Sequence, residues 1–391
     1  MDITRRDWAA ALAAGVLSCG PESDRGPLAG KEAATGLATR PHVIDLHCDT
    51  PMLFGEAGYD LGKRNDFGEV DLPRLREGGV SAVFFSVYTS ARGNTELEAL
   101  RNALEIIDTI YREVARFPDD LVPARSSDDL ESARSEGRIA VLLGVEGGHM
   151  IASSLAVLRS LQRLGARYLT LTHSVNTPWA GSSASDGDPG LSDFGREVVA
   201  ELNRLGMMVD VSHVSDQTFW DALESSSAPL IASHSSARAL CPHKRNLTDA
   251  MIRAAADKGG VVHINYYNRF IDPDYATRAA AWDAANPDAG RGEGYGARTR
   301  ARLAAIGRAS LDTLLDHFEH VAKVGGVGAV GLGSDFDGVD GELPEGMEDV
   351  SKVPAIADGL SQRGFSSSDV EKVLGLNTLR VLRDVERAAE A

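Results

Sequence analysis

The chain is short of cysteine, of cationic charge and of long apolar runs, and each shortage closes off a class of protein. Three cysteines in 391 residues (Cys19, Cys48 and Cys241) are too few for a disulfide scaffold. They also lack the C-x-x-C spacing of a structural zinc site. No apolar run reaches the ~18 residues of a membrane span. Lys plus Arg number 40 against 57 Asp plus Glu, a formal charge of −17. Such an acidic chain is unsuited to gripping a phosphate backbone, so no nucleic-acid partner is expected. What remains abundant is core-forming material: 43% of residues are hydrophobic and 25% charged, which excludes global disorder. The length allows two or three domains of ~150 residues, but single α/β barrels also reach it.

The first forty residues read separately. Thr4-Arg5-Arg6-Asp7-Trp8 leads into the uncharged stretch Ala9–Leu17 and then Ser18-Cys19-Gly20. A basic start, a short apolar stretch and small residues make an export signal over 1–19. The arginine pair resembles a twin-arginine signal, and Val16-Leu17-Ser18-Cys19 resembles a lipoprotein cleavage box. The expectation is an exported, periplasmic or lipid-anchored protein, touching membrane only through Cys19. The alternative is an amphipathic N-terminal helix on a cytosolic protein. Residues 20–40, rich in Gly, Ala, Pro and charge, read as a flexible tether. The single catalytic domain is expected over 41–391.

From Pro41 onward, Val/Ile/Leu-rich runs alternate with helical stretches. The runs are His42–Leu46, Val80–Tyr88, Ile139–Val145, Arg167–Leu171, Met207–Val211, Pro229–Ala232, Gly260–Tyr266 and Val327–Gly333. Nearly continuous apolar runs suit strands buried on both faces of a parallel sheet. Helical segments lie between them, among them Thr95–Phe117, Phe194–Leu205, Asp216–Glu224 and Leu311–Val324. Glycine often separates a helix from the next strand, as at Gly78-Gly79, Gly165, Gly206, Gly259-Gly260 and Gly325-Gly326. Eight strand–helix units in succession predict an α/β fold, a (β/α)8 TIM-like barrel. The runner-up, an open doubly wound sheet, lacks a G-x-G-x-x-G after its first strand.

Polar residues gather at the strand ends. The first run leads into His47-Cys48-Asp49, whose outer two side chains share one face in an extended chain. Later runs end in Glu146, His173, His213, His234 and Asp335. In a barrel these ends converge on one mouth, where active sites of that fold lie. Three histidines from different strands with Asp and Glu form a nitrogen–oxygen set suited to zinc or similar ions. A carboxylate can bridge two ions, and such a pair polarises a carbonyl and activates a shared water. Each residue alone has an ordinary alternative, as a packed strand histidine or a helix cap. The coincidence of five ligand-type residues at four strand ends favours a site.

At these residues the sequence resembles the membrane (renal) dipeptidase family of the amidohydrolase superfamily. The likeness runs over most of 42–387. It rests on Ile44–Asp49, Gly144-Val145-Glu146-Gly147, Leu169–Ala180, Gly190-Leu191-Ser192, Val209–His213, Ser233-His234-Ser235, Arg245-Asn246-Leu247 and Gly333–Gly338. The resemblance implies two Zn2+ per chain, one held by His47 and Asp49 and the other by His213 and His234, with Glu146 bridging. It further implies His173 near the scissile carbonyl oxygen, Arg245 on the substrate's C-terminal carboxylate and Asp335 as the proton-handling group. The implied activity is hydrolysis of dipeptides with a free C-terminal carboxylate, D-residues there included, by attack of a metal-bridging hydroxide; the implied assembly is a homodimer. A related metal hydrolase acting on lactones, lactams or other amides is the second reading, and a peptide- or metal-binding lipoprotein without turnover the third.

Other residues carry weaker expectations. His317 and His320 lie on a helix with Asp316 and Glu319 and read as a packed or solvated face. His263 lies inside its strand. Tyr266 or Tyr267 lines the pocket, Arg64 and Asp66 lie where a loop could touch substrate, and 271–308 reads as an insertion over the mouth.

Overall fold

A computed structural model of the chain describes residues 41–290 and 296–390. The export signal, the tether and part of the Gly290–Gly294 stretch therefore lie outside the described residues. The strands are β1 Ile44–Cys48, β2 Ala82–Tyr88, β3 Leu121–Pro123, β4 Ile139–Glu146, β5 Ala166–Thr170, β6 Met208–Asp210, β7 Leu230–Ala232, β8 Val261–Ile264 and β9 Val330–Leu332. All pair in parallel in the order β2-β1-β9-β8-β7-β6-β5-β4, and pairing of β2 with β4 closes the ring. The expected eight-stranded barrel is therefore the fold. β3 is an addition the sequence did not announce, a three-residue strand beside the first residues of β4.

The lumen is filled, not open. Ile44, Leu46, Phe84, Leu142, Tyr168, Met208, Ile231 and Val261 pack in it, and Leu379, Val381, Leu382 and Val385 of the last helix join them. A second, larger apolar layer packs between strands and surrounding helices. Polar side chains start most of those helices: Thr95, Ser126, Ser154, Ser192, Ser215, Thr248 and Ser310 each accept a hydrogen bond from a first-turn amide. At the other ends Gly79, Gly165, Gly206, Gly259 and Gly326 hold positive φ between 66° and 116°. Only glycine takes that turn from helix back to strand without strain.

Register places the chemistry. Tyr88 lies opposite Glu146, Glu146 opposite Thr170, and Thr170 opposite Asp210. The C-terminal strand ends thus form one polar tier above the apolar lumen. Among the described residues no helix is long and apolar enough to cross a membrane.

Candidate metal centre and active site

Glu146 ends β4 and is the hub of the mouth. Around its Oε1 stand the Nε2 atoms of His213 at 3.1 Å, His234 at 3.4 Å, His47 at 3.5 Å and His173 at 3.6 Å. Nε2 of His213 lies 2.8 Å from that of His234. Asp49 comes from just beyond β1, its Oδ2 3.3 Å from His47 Nε2, and Asp335 Oδ1 is 3.9 Å from the same nitrogen. All eight sequence-predicted site residues meet here except in one respect: Arg245, from the loop after β7, shares the cavity but touches none of the carboxylates directly. It donates to Ser235 Oγ and to the His234 carbonyl.

Two turns bring side chains back over the mouth. His213 and Asp335 each sit three residues past a strand, with φ of 67° and 65°. Left-handed backbone at non-glycine residues costs of order 1–3 kcal/mol and clusters at functional sites. The turns are braced alike. Asp210 accepts the Ser212 amide, and Asp45 accepts the Ser334 amide, each at 3.0 Å. Asp210 also takes the Ser233 hydroxyl, whose oxygen is 2.8 Å from His234 Nδ1. His47 Nδ1 meets the Tyr168 hydroxyl at 2.7 Å, and Ser86 donates to Glu146 Oε2. Gly338 is required by space, since a Cβ there would come within 2.2 Å of Asp49 Oδ2 and 2.5 Å of Asp335 Oδ1.

The electrostatics ask for cations. Asp49, Glu146 and Asp335 are buried together, and buried carboxylates are costly unless paired with charge. Burial lifts Glu146 well above the usual carboxylate range and, with Asp49 adding, pushes Asp335 up to about 6. Burial would lower His47, yet the Glu146 and Asp49 charges push it up to about 10. His47 Nε2 and Asp49 Oδ1 are fully buried with no hydrogen-bond partner. Orphaned imidazole nitrogen and carboxylate oxygen facing one space fit a divalent metal. Three overlapping trios can hold one: His47, Glu146 and His234; Glu146, His173 and His213; His47, Asp49 and Asp335. Unlike His47, His173 is pushed down to about 3 by burial, with Arg245 adding, so it is neutral at pH 7.

The cavity above these groups holds about 340 Å³. Its walls include Met52, Tyr88, Tyr267, Phe270, Val339 and Asp340, none of which the sequence reading placed there except Tyr267. Tyr88 was within reach, because it ends β2 as Glu146 ends β4. Of the weaker expectations, Tyr266 is buried behind the wall. Arg64 is turned away, pairing with exposed Glu77 at 2.6 Å, and Asp66 does not line the cavity. His317 is packed, its two ring nitrogens bonded to the Ala237 amide and the Ile271 carbonyl; His320 pairs with Asp249. His263 bonds the Ala232 carbonyl and Thr378 hydroxyl in the core. None of the described residues in 271–308 lines the cavity. The helices of that segment hold Asp283 and Arg302, which join Arg269 and Glu342 in an ion-pair network behind the β9 loop.

A sequence model for membrane dipeptidases, peptidase family M19, matches residues 31–391. The chain belongs to that family. It is therefore a metallo-dipeptidase, a hydrolase of peptide bonds. An uncharacterized dipeptidase of Schizosaccharomyces pombe is 37% identical over 371 residues, 89% of this dipeptidase and 81% of that one. The crystal structure of the probable dipeptidase PvdM from Pseudomonas aeruginosa superposes with a TM-score of 0.80 at 26% identity, covering 93% of this chain and all of that one. A metallopeptidase from Rhodobacter sphaeroides, solved with a phosphinate mimic of the dipeptide L-Ala-D-Ala, gives a TM-score of 0.75 at 26% identity over 88% of this chain and 99% of its own.

Proposed function

We propose that this dipeptidase holds two zinc ions through His47, Asp49, Glu146, His213 and His234, with Glu146 shared. Its substrates are dipeptides with a free C-terminal carboxylate, including those with a D-residue at that position. One observation carries the metal reading: four imidazole nitrogens stand within 3.6 Å of a single buried Glu146 oxygen. A carboxylate so surrounded is placed to be shared. The bound ions would supply Lewis acidity for the scissile carbonyl and for water. The D-residue reading draws support from the L-Ala-D-Ala mimic bound by the Rhodobacter sphaeroides relative.

The chain's own residues supply the rest. Neutral His173 donates a hydrogen bond to the carbonyl oxygen as negative charge develops there. Asp335, lifted to about 6 and held by the Asn265 amide at 2.8 Å, takes a proton from the attacking water and returns one to the leaving amine. Arg245 presents its guanidinium to the terminal carboxylate. That contact limits the substrate to one residue beyond the scissile bond. Residues 1–19 serve export with Cys19 as lipid acceptor, 20–40 act as tether, and the enzyme works as a homodimer.

The test is a dipeptide library with L and D residues at each position, run on zinc-loaded protein whose metal content is measured in parallel. Two equivalents per chain and turnover of free-carboxylate dipeptides are expected. Saturation at one ion defeats the shared carboxylate, and turnover confined to lactones or lactams defeats the substrate assignment.

A further inference from the structure

Tyr168 lies in the middle of β5, fully buried in the lumen beneath the metal centre. Its ring is fixed by packing. Phe84 stacks against it with centroids 5.8 Å apart, and Gly144 on β4 makes room, since a Cβ there would lie 1.9 Å from the phenol Cζ. The hydroxyl so placed reaches His47 Nδ1 at 2.7 Å. Among the described residues it has no other hydrogen-bond partner.

A histidine binds a metal through Nε2 only when its proton sits on Nδ1, and a buried Nδ1–H needs an acceptor. His234 has one: Ser233 Oγ lies 2.8 Å from Nδ1 and donates its own hydrogen to Asp210 at 2.6 Å, which leaves its oxygen able to accept from Nδ1–H. The corresponding partner of His47 is a lone phenol. We propose that Tyr168 is the positioning residue that keeps His47 in its metal-binding tautomer, accepting from Nδ1–H while Nε2 faces the metal. The inference rests on His47 being a ligand, as proposed above.

The geometry makes the effect selective for the metal-bound form. Without an ion, nothing requires Nε2 to be bare: Nε2–H can face Asp49 at 3.3 Å and Glu146 at 3.5 Å, and Nδ1 can release its proton. In Tyr168→Phe only that alternative survives well, because it leaves a bare lone pair against the phenyl ring. The metal-binding tautomer would bury an unmet donor. The oxygen deletion therefore weighs on the loaded protein far more than on the empty one, which a merely structural role would not do.

The experiment compares wild type and Tyr168→Phe in the full chain by chelator competition for each zinc equivalent. Melting of the metal-free and zinc-loaded forms is recorded alongside. One equivalent should weaken by ~10–100-fold, the scale seen when such outer partners are removed, while the other stays within about threefold. The metal-free proteins should melt alike, and the rise in Tm on adding zinc should shrink in the variant. Unchanged affinity for both ions in a folded variant overturns the proposal. Should the variant not fold, 15N-histidine spectra of zinc-loaded wild type decide it, because an unprotonated His47 Nδ1 is incompatible with it. Wild type that binds no zinc at all removes the ligand assignment itself, whereas two tight ions unaffected by the variant remove only the role of Tyr168.

Discussion

Replacing Arg245 by Met keeps the aliphatic stem in its slot and removes only the guanidinium. The group is buried, with Phe270 5.5 Å from its carbon, and two of its nitrogens are tied to Ser235 and to the His234 carbonyl. Its Nε has no partner. Burial pushes it down to about 10, against the pull of Asp335 and Glu146, so it still carries its charge at pH 7. A hydrogen bond to a charged group contributes about 1.5–3 kcal/mol. At about 1.4 kcal/mol per factor of ten, that is a loss of roughly 10–150-fold in kcat/KM, mainly through KM. The assay pairs a dipeptide with its C-terminal amide, which lacks the carboxylate. Wild type should discriminate against the amide by about the same factor, and Arg245→Met should lose that discrimination, turning over the amide within about threefold of wild type. If the variant falls equally on both substrates, Arg245 acts on the metal centre through its charge and not on the substrate.

Asp335→Asn should lower kcat by ~10²–10⁴-fold with zinc content and Tm little changed, whereas loss of metal would make Asp335 a ligand. Gly338→Ala forces a methyl group against Asp49 and Asp335, so zinc titration should show one weakened equivalent in a protein of near-normal far-UV dichroism. Acid should destabilise the fold: burial is the main reason that His173 and His263 are pushed down to about 3 and His243 and His317 to about 4. The unfolded chain takes up those protons near pH 6.5, the native one does not, so Tm should fall steadily from pH 6.5 toward 4. A Tm flat over that range would mean that these histidines charge in place. Export predicts a mature N-terminus at Cys19 in the membrane fraction, to be checked by mass spectrometry against Cys19→Ser.

Legibility in the sequence followed physical range. The barrel could be read because the strand runs are largely apolar on both faces and several are preceded by a glycine that the turn from helix back to strand requires. β3 could not, because Leu121-Val122-Pro123 is three residues long and pairs only with the start of β4. The ligand residues stood out because parallel strands all deliver their last side chains to one rim. Tyr168 did not, since a tyrosine inside a strand reads as core, and only the 2.7 Å contact across the lumen gives it another role. Met52 and Phe270 come to the cavity on short helical turns after β1 and β8, and Asp340 on a loop. Asp340 sits on the β9 loop, which the Arg302–Glu342 pair anchors from about forty residues away in sequence.

The turns after β6 and β9 show how the two ranges meet. Ser212-His213 and Ser334-Asp335 are ordinary dipeptides, and nothing in them announces a left-handed residue. What imposes that conformation is an aspartate on the same strand or its neighbour: Asp210 grips the Ser212 amide, and Asp45 grips the Ser334 amide. With the serine pinned, the next residue takes positive φ and returns its side chain to the mouth. The barrel thus uses one device twice, on β6 for a proposed metal ligand and on β9 for the proposed proton carrier. The buried aspartates Asp45 and Asp210 do not line the cavity. Their part is to offset the backbone strain, of order 1–3 kcal/mol at each turn, that aims His213 and Asp335 at the same few ångströms of space.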